Sequence, residues 1–233
     1  MQSRRLLVNS MPNMRELGGF AAADGGVTRY ARFIRSNVPS RLSDEDIAFL
    51  KDYGLKAVID LRMREEAEYR PSSLSEVEGI AYYNIPFADD LSLGAGGGVH
   101  FSPKDHYISM IEGPTNLKRI FSIMASQPEG AVLFNCSAGK DRTGIIAALL
   151  LLLAGVPRED IVADYQVTFT YMKALIIPML AAAGQPPEVG RSDPEWMEIL
   201  LDYFEGTGGI EVFLRGIGLE DEKTQILKDK LLK

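Results

Sequence analysis

Residues 131–154 pass from a short apolar run, through a loop of small and charged residues, into a segment that is apolar on every side. Ala131-Val132-Leu133-Phe134, preceded by Gly130, has the length and composition of a buried strand. The run 143–154, closed by Gly155 and Pro157, reads as a helix with no polar face. Such a helix cannot lie on a surface and has to be covered all round. A buried strand followed at once by a buried helix is half of a βαβ unit. The fold class expected is α/β, a central and mostly parallel sheet flanked by helices.

The rest of the sequence agrees. Residues 56–61 and 80–85 read as further strands, the second halted by Pro86. Ser43-Asp44-Glu45-Asp46 reads as a helix cap, with Ile47, Leu50 and Tyr53 at helical spacing and Gly54 as the stop. Residues 64–70 form a short helix ended by Pro71. A glycine-rich loop fills 88–102, and Ser102-Pro103 opens a helix to about Gln127 that Gly113-Pro114 breaks or kinks. Helices are expected over 159–183 and 194–205, with two more before Lys233, and hairpin-like turns in the first 35 residues. The 233 residues suit a single domain, 1–233. Gly and Pro between 182 and 193 separate a core of about 1–175 from a helical C-terminal portion of about 176–233.

Charge and cysteine content narrow the chemistry. With 25 Lys and Arg against 32 Asp and Glu, the net charge is -7, so no diffuse basic surface is expected for nucleic acid or anionic membrane. An anion has to be captured by a local site. The single cysteine, Cys136, rules out an internal disulfide and a thiolate zinc cluster. The N-terminus lacks the apolar core of a signal peptide, and the longest apolar run, 145–154, is about half a membrane span. A cytoplasmic protein without an integral membrane segment is expected.

The loop itself carries the chemistry. A chain leaving a strand and entering a helix can turn successive N–H groups inward, with the helix dipole adding its positive end. Ser137, Ala138 and Gly139 are small enough to curl tightly, Lys140 and Asp141 follow, and Arg142 supplies a fork matched to phosphate oxygens. Cys136 falls at the floor of this phosphate cradle. Such settings lower a thiol from about 8.5 to about 3.5–7.5, making it a nucleophile. Thr143 is placed to donate its hydroxyl to the sulfur as it departs. A nucleotide-binding loop is excluded, because Phe134 and Asp141 stand where that motif needs Gly and Ser or Thr.

Cys-Ser-Ala-Gly-Lys-Asp-Arg-Thr-Gly, residues 136–144, resembles the Cys-x5-Arg signature of the cysteine-dependent protein tyrosine phosphatase superfamily. More narrowly it is similar to the bacterial tyrosine-phosphatase-like family. Asn13-Met14-Arg15-Glu16-Leu17-Gly18-Gly19, Phe33-Ile34-Arg35-Ser36, Ile59-Asp60-Leu61-Arg62, Gly208-Gly209-Ile210-Glu211 and Ile217-Gly218-Leu219 fit the same family. The resemblance implies a phosphatase that forms a cysteinyl-phosphate intermediate. Its substrate would be a phosphorylated protein, chiefly at tyrosine, or else phosphoserine/threonine or a phosphoinositide reached through Lys140, and its product inorganic phosphate. It implies no cofactor and no metal. One residue departs from the pattern: Asn135 stands where the family has His. An amide carries no positive charge, so a less acidic thiol and slower turnover are expected. The alternative is a phosphate-binding pseudo-phosphatase that recognises without cleaving.

Ester cleavage needs an acid for the departing oxygen. The resemblance points to Asp141 first and to Asp89, in the loop after the 80–85 strand, second. Asp60 with Arg62, and Arg15 and Arg35, are expected to brace the loop. His100 and His106 carry no metal-ligand pattern. Tyr165, Phe169, Tyr171 and Met172 are expected to pack the core. Residues 94–98 and the helix over 164–183 are candidates for a lid.

Overall fold

The computed structural model describes residues 3–87, 103–112 and 115–233, with the side chains of 103–106 excepted. Asp89, His100 and the glycines of 94–98 lie outside the described residues, as does the His106 side chain.

Five strands form one sheet in the order β1-β2-β5-β3-β4: β1 (Arg15–Glu16), β2 (Phe33–Ser36), β3 (Leu55–Asp60), β4 (Ala81–Asn84) and β5 (Ala131–Asn135). Only the edge pair β1–β2 is antiparallel; β2, β5, β3 and β4 run parallel. Parallel strands need crossovers, and the helices supply them. Ser43 caps α1 (Asp44–Asp52) by accepting from the Asp46 N–H, while the Asp46 carboxylate accepts from the Ser43 N–H. Next come α2 (Arg64–Tyr69), α3 (Pro103–Glu112) and α4 (Leu117–Ser126). The segment expected to be helical from Pro103 to about Gln127 holds two helices, the first ending at Glu112 and the second starting at Leu117.

The central strands alternate between two apolar layers. Phe33, Ala57, Ile59, Val132 and Phe134 face the larger cluster, and Ile34, Leu55, Val58, Ala131 and Leu133 face the smaller. The larger layer contains α5 (Asp141–Leu153), and ten of its thirteen residues are buried, so the apolar circumference read from the sequence is used in full. It is roofed by α6 (Arg158–Ala182), α7 (Pro194–Gly206), α8 (Ile210–Gly216) and α9 (Asp221–Leu232). Trp196, Leu200, Phe213 and Leu227 of this C-terminal portion belong to the same apolar cluster as β5. Among the described residues no helix is long and apolar enough to cross a membrane.

This topology fixes where chemistry can occur. The C-terminal ends of β2, β5 and β3 lie side by side, with Ser36 paired to Asn135 and Asn135 to Asp60. Open parallel sheets bind ligands at that edge. The 136–140 loop leaves from its middle strand.

Candidate active site

Cys136 follows β5 directly and is 4% exposed, beneath the loop that continues from it. The loop carbonyls are each held from outside. Ser137 O accepts from the Val38 N–H at 3.2 Å, Ala138 O from Asn13 Nδ2 at 2.9 Å, and Gly139 O from Arg35 Nη2 at 2.9 Å and Asn13 Nδ2 at 3.1 Å. Turning successive carbonyls outward turns the intervening N–H groups inward. The N–H groups of Ser137, Ala138, Gly139, Lys140 and Arg142 donate to no protein acceptor among the described residues. The tight bend needs glycine at 139. Its φ is +71°, and a Cβ there would stand 2.4 Å from Ser36 O and 2.7 Å from Asn37 N.

The carbonyl grips are anchored by a buried ion cluster. Asp164 of α6 accepts from Arg15 Nε at 2.8 Å, from Arg35 Nη1 at 2.7 Å and from Arg4 at 3.2 Å. Arg15 also donates to Asn13 Oδ1, aligning the amide that holds the loop. Burial opposes ionisation of Asp164, but the charges of Arg15 and Arg35 outweigh it and hold the carboxyl down at about 2. Burial likewise draws Arg35 down to about 10, with Arg15 adding repulsion. The bracing expected of Arg15 and Arg35 is present. Its hub, Asp164, had been expected only as part of a helix.

Arg142, in the first turn of α5, is fixed by Glu66 of α2. Its Nη1 reaches Oε2 at 2.5 Å and its Nη2 reaches Oε1 at 2.9 Å. Glu66 also accepts from Ser137 Oγ at 2.7 Å and from the Met63 N–H at 2.9 Å. Burial raises the Glu66 carboxyl, but the Arg142 hydrogen bonds and charge prevail, and it is held down at about 2. Burial lowers Arg142, and Glu66 with the Cys136 sulfur and Asp141 raise it further than burial takes away. A guanidinium has two forked edges. Glu66 occupies the Nη1–Nη2 edge, which leaves the Nε–Nη2 edge as the one that a phosphate can share. Sequence reasoning missed Glu66, since three glutamates (65, 66 and 68) stand in the same short helix and only packing selects one.

Asn135 donates from Nδ2 to Asp60 Oδ1 at 3.2 Å, while its Oδ1 is buried with no partner among the described residues. The Asp60 carboxylate is already neutralised by Arg62, whose Nη2 lies 2.6 Å from Oδ2, and by the Tyr82 hydroxyl at 2.8 Å. The Asp60–Arg62 pair expected from the sequence is therefore present and tied to the strand that carries Cys136. Thr143 is fully buried next to Arg142, and its Oγ1 has no partner among the described residues.

Lys140 lies differently from an outward-reaching lysine. It is 7% exposed, with Nζ donating to Val189 O at 2.7 Å, 3.4 Å from Asp141 Oδ1 and 4.8 Å from the Trp196 ring centre. It binds the loop to the segment before α7 and does not extend toward solvent. Ala138 and Val189 pack on the cluster of Met172, Ile176 and Leu180, so α6 lies against the loop. Tyr165 is buried in the core as expected, yet its hydroxyl is also 2.5 Å from that of Tyr107.

The tyrosine phosphatase family matches residues 6–233 of this sequence. The chain belongs to that family. A tyrosine-protein phosphatase of Nostoc commune is 30% identical over 226 residues, covering 85% of this chain and 74% of the relative. The triple specificity protein phosphatase PtpB of Mycobacterium tuberculosis is 32% identical over 187 residues, covering 66% of this chain and 65% of the relative. Among solved structures, P. aeruginosa TpbA aligns with a TM-score of 0.40 at 15% identity, covering 77% of this chain and 94% of TpbA. Around Cys136 of this tyrosine phosphatase lie the Arg142 guanidinium, held by Glu66, and a loop whose carbonyls are gripped from outside.

Proposed function

We propose that this phosphatase hydrolyses phosphotyrosine in proteins through a cysteinyl-phosphate intermediate. The observation that carries the reading is the outward grip on the carbonyls of Ser137, Ala138 and Gly139, which aims the loop's N–H groups at the space above Cys136. Phosphoryl oxygens bind those N–H groups and the Nε–Nη2 edge of Arg142. The Cys136 thiolate attacks phosphorus in line, an S–P bond forms, and the P–O ester bond breaks. Asp141 gives its proton to the departing phenolic oxygen. Water then attacks phosphorus and returns a proton to Asp141, the S–P bond breaks, and inorganic phosphate leaves. The Thr143 hydroxyl is available to the sulfur as it regains its charge. Because the sulfur is recessed, a phosphate carried at the end of a long aryl side chain reaches it more readily than one on a short serine.

The test compares the natural chain with Cys136→Ser on a phosphotyrosine peptide, following phosphate release and, separately, peptide binding. Metal-independent release in the natural chain, abolished in the variant while binding persists, is the expected result. Peptide binding without release by the natural chain overturns the catalytic reading in favour of a phosphate-recognising module.

A further inference from the structure

Asp141, the first residue of α5, is reached from two other helices. Tyr107 of α3 donates its hydroxyl proton to Asp141 Oδ1 at 2.5 Å, and the Tyr165 hydroxyl of α6 lies 2.5 Å from the same Tyr107 oxygen. Tyr107 has one proton to give and gives it to the carboxylate, so Tyr165 is the donor to Tyr107. The chain runs from Tyr165 to Tyr107 to Asp141. Both rings are fully buried and meet edge to face at 6.2 Å, and the Trp196 ring packs against Tyr107 at 6.3 Å. The Asp141 side chain, by contrast, keeps 31% exposure. One end of the chain is locked in the core, and the other, whose Oδ1 also lies 3.4 Å from the Lys140 ammonium, is partly exposed.

We propose that Tyr107, itself held by Tyr165, is a positioning residue that aims the Asp141 carboxyl at the ester oxygen and stabilises its ionised form after the proton has left. This rests on the reading of Asp141 as the acid. Neither phenol is a proton source. Burial pushes both well above the ordinary tyrosine value, so both keep their protons through the cycle. The proton delivered is that of Asp141, and the one recovered comes from water. A hydrogen bond donated to a carboxylate favours the charged form. Losing it has two effects: the acid keeps its proton to higher pH, and it is aimed less well.

The leaving group separates this role from simple packing. 4-Nitrophenolate departs with little help, whereas phenolate needs the acid. In Tyr107→Phe the ratio of 4-nitrophenyl phosphate to phenyl phosphate kcat/KM, which reports the step that expels the leaving group, is expected to rise about tenfold, the scale of one hydrogen bond to a charged group. The alkaline limb of the phenyl phosphate profile moves to higher pH. Tyr165→Phe leaves the bond to Asp141 in place and raises the ratio about threefold; it also serves if Tyr107→Phe does not fold, as judged by circular dichroism. Adding Tyr107→Phe to Asp141→Asn changes the ratio no further. If Asp141→Asn itself leaves the ratio unchanged, the assignment of the acid falls, and this proposal with it. If Asp141→Asn raises the ratio but neither tyrosine variant does, or the double variant is additive, the positioning role alone is overturned.

Discussion

Replacing Glu66 by Gln tests how the cradle aims its guanidinium. The carboxylate holds Arg142 by two hydrogen bonds, at 2.5 and 2.9 Å, and is itself fixed by Ser137 and the Met63 N–H. An amide keeps one acceptor but sets an NH2 against the other donor of the fork, so one charge-assisted bond is lost and the remaining one weakens. A hydrogen bond to a charged group contributes about 1.5–3 kcal/mol, and every 1.4 kcal/mol is about tenfold. With Glu66 34% exposed, screening discounts the figure toward its lower end. The expected loss in kcat/KM is therefore about ten- to thirtyfold, accompanied by weaker competitive inhibition by inorganic phosphate. Folding stability falls by no more than about 1 kcal/mol, as for other half-exposed pairs. The Glu66 carboxyl, held at about 2 against an ordinary 4.5, stays ionised throughout the assay range. The variant's pH–rate profile above pH 5 is thus lower but unchanged in shape. Steady-state kinetics across pH, with phosphate as inhibitor, check all three points. Tighter phosphate binding in Glu66→Gln would refute the reasoning, since it would make the carboxylate a competitor for the anion site and not the support of its arginine.

Asp164→Asn leaves Arg15 and Arg35 buried without their counter-ion and is expected to cost about 3–5 kcal/mol in urea unfolding. Because the folded-state carboxyl is depressed from 3.8 to about 2, the stability that this group contributes is present at neutral pH and is lost as pH falls through that interval. The variant should lose that part of the acid sensitivity, and an unchanged acid transition would count against it. Asn135→His brings a larger ring into a fully buried site beside Asp60 and is expected to lower stability by about 1–3 kcal/mol. The same variant speeds iodoacetamide labelling of Cys136 at pH 6, and slower labelling would remove the charge argument for that position.

The fold was largely legible because its signals are local. The fully apolar 143–154 run had to be an internal helix, and the Ser43 cap, Pro71 and Pro86 marked boundaries that the elements respect. The cradle was legible for the same reason, as one strand, one loop and one helix contiguous in sequence. What was not legible is everything that reaches the loop from elsewhere. Glu66 is one of three glutamates in a helix of six residues, and only the docking of α2 against Ser137 picks it out. Tyr107 drew no reading from the sequence: a lone tyrosine in an expected helix carries no local sign that its buried hydroxyl meets Asp141. Asp164 gave a signal that could have been read, a carboxylate flanked by Ile161, Val162, Tyr165 and Thr168 on the buried side of its helix. A charge there demands partners, and the arginines of the early motifs were the ones available. Lys140 shows the converse error. Its charge suggested outward reach, but its ammonium lies over the Trp196 ring and donates to the Val189 carbonyl.

The grips on Ala138 O and Gly139 O come from Asn13 and Arg35, 125 and 104 residues earlier in the chain, and the acid that steadies Arg35 lies 129 residues after it. Closing loops of that size is slow. The strand, helix and signature loop can form early, but they become an anion receptor only when the amino-terminal segment and α6 have met. A nascent or truncated chain ending before residue 164 would display the whole signature and still bind no phosphate. Occupancy by phosphate, in turn, reports on and reinforces the complete tertiary structure and not merely its own neighbourhood.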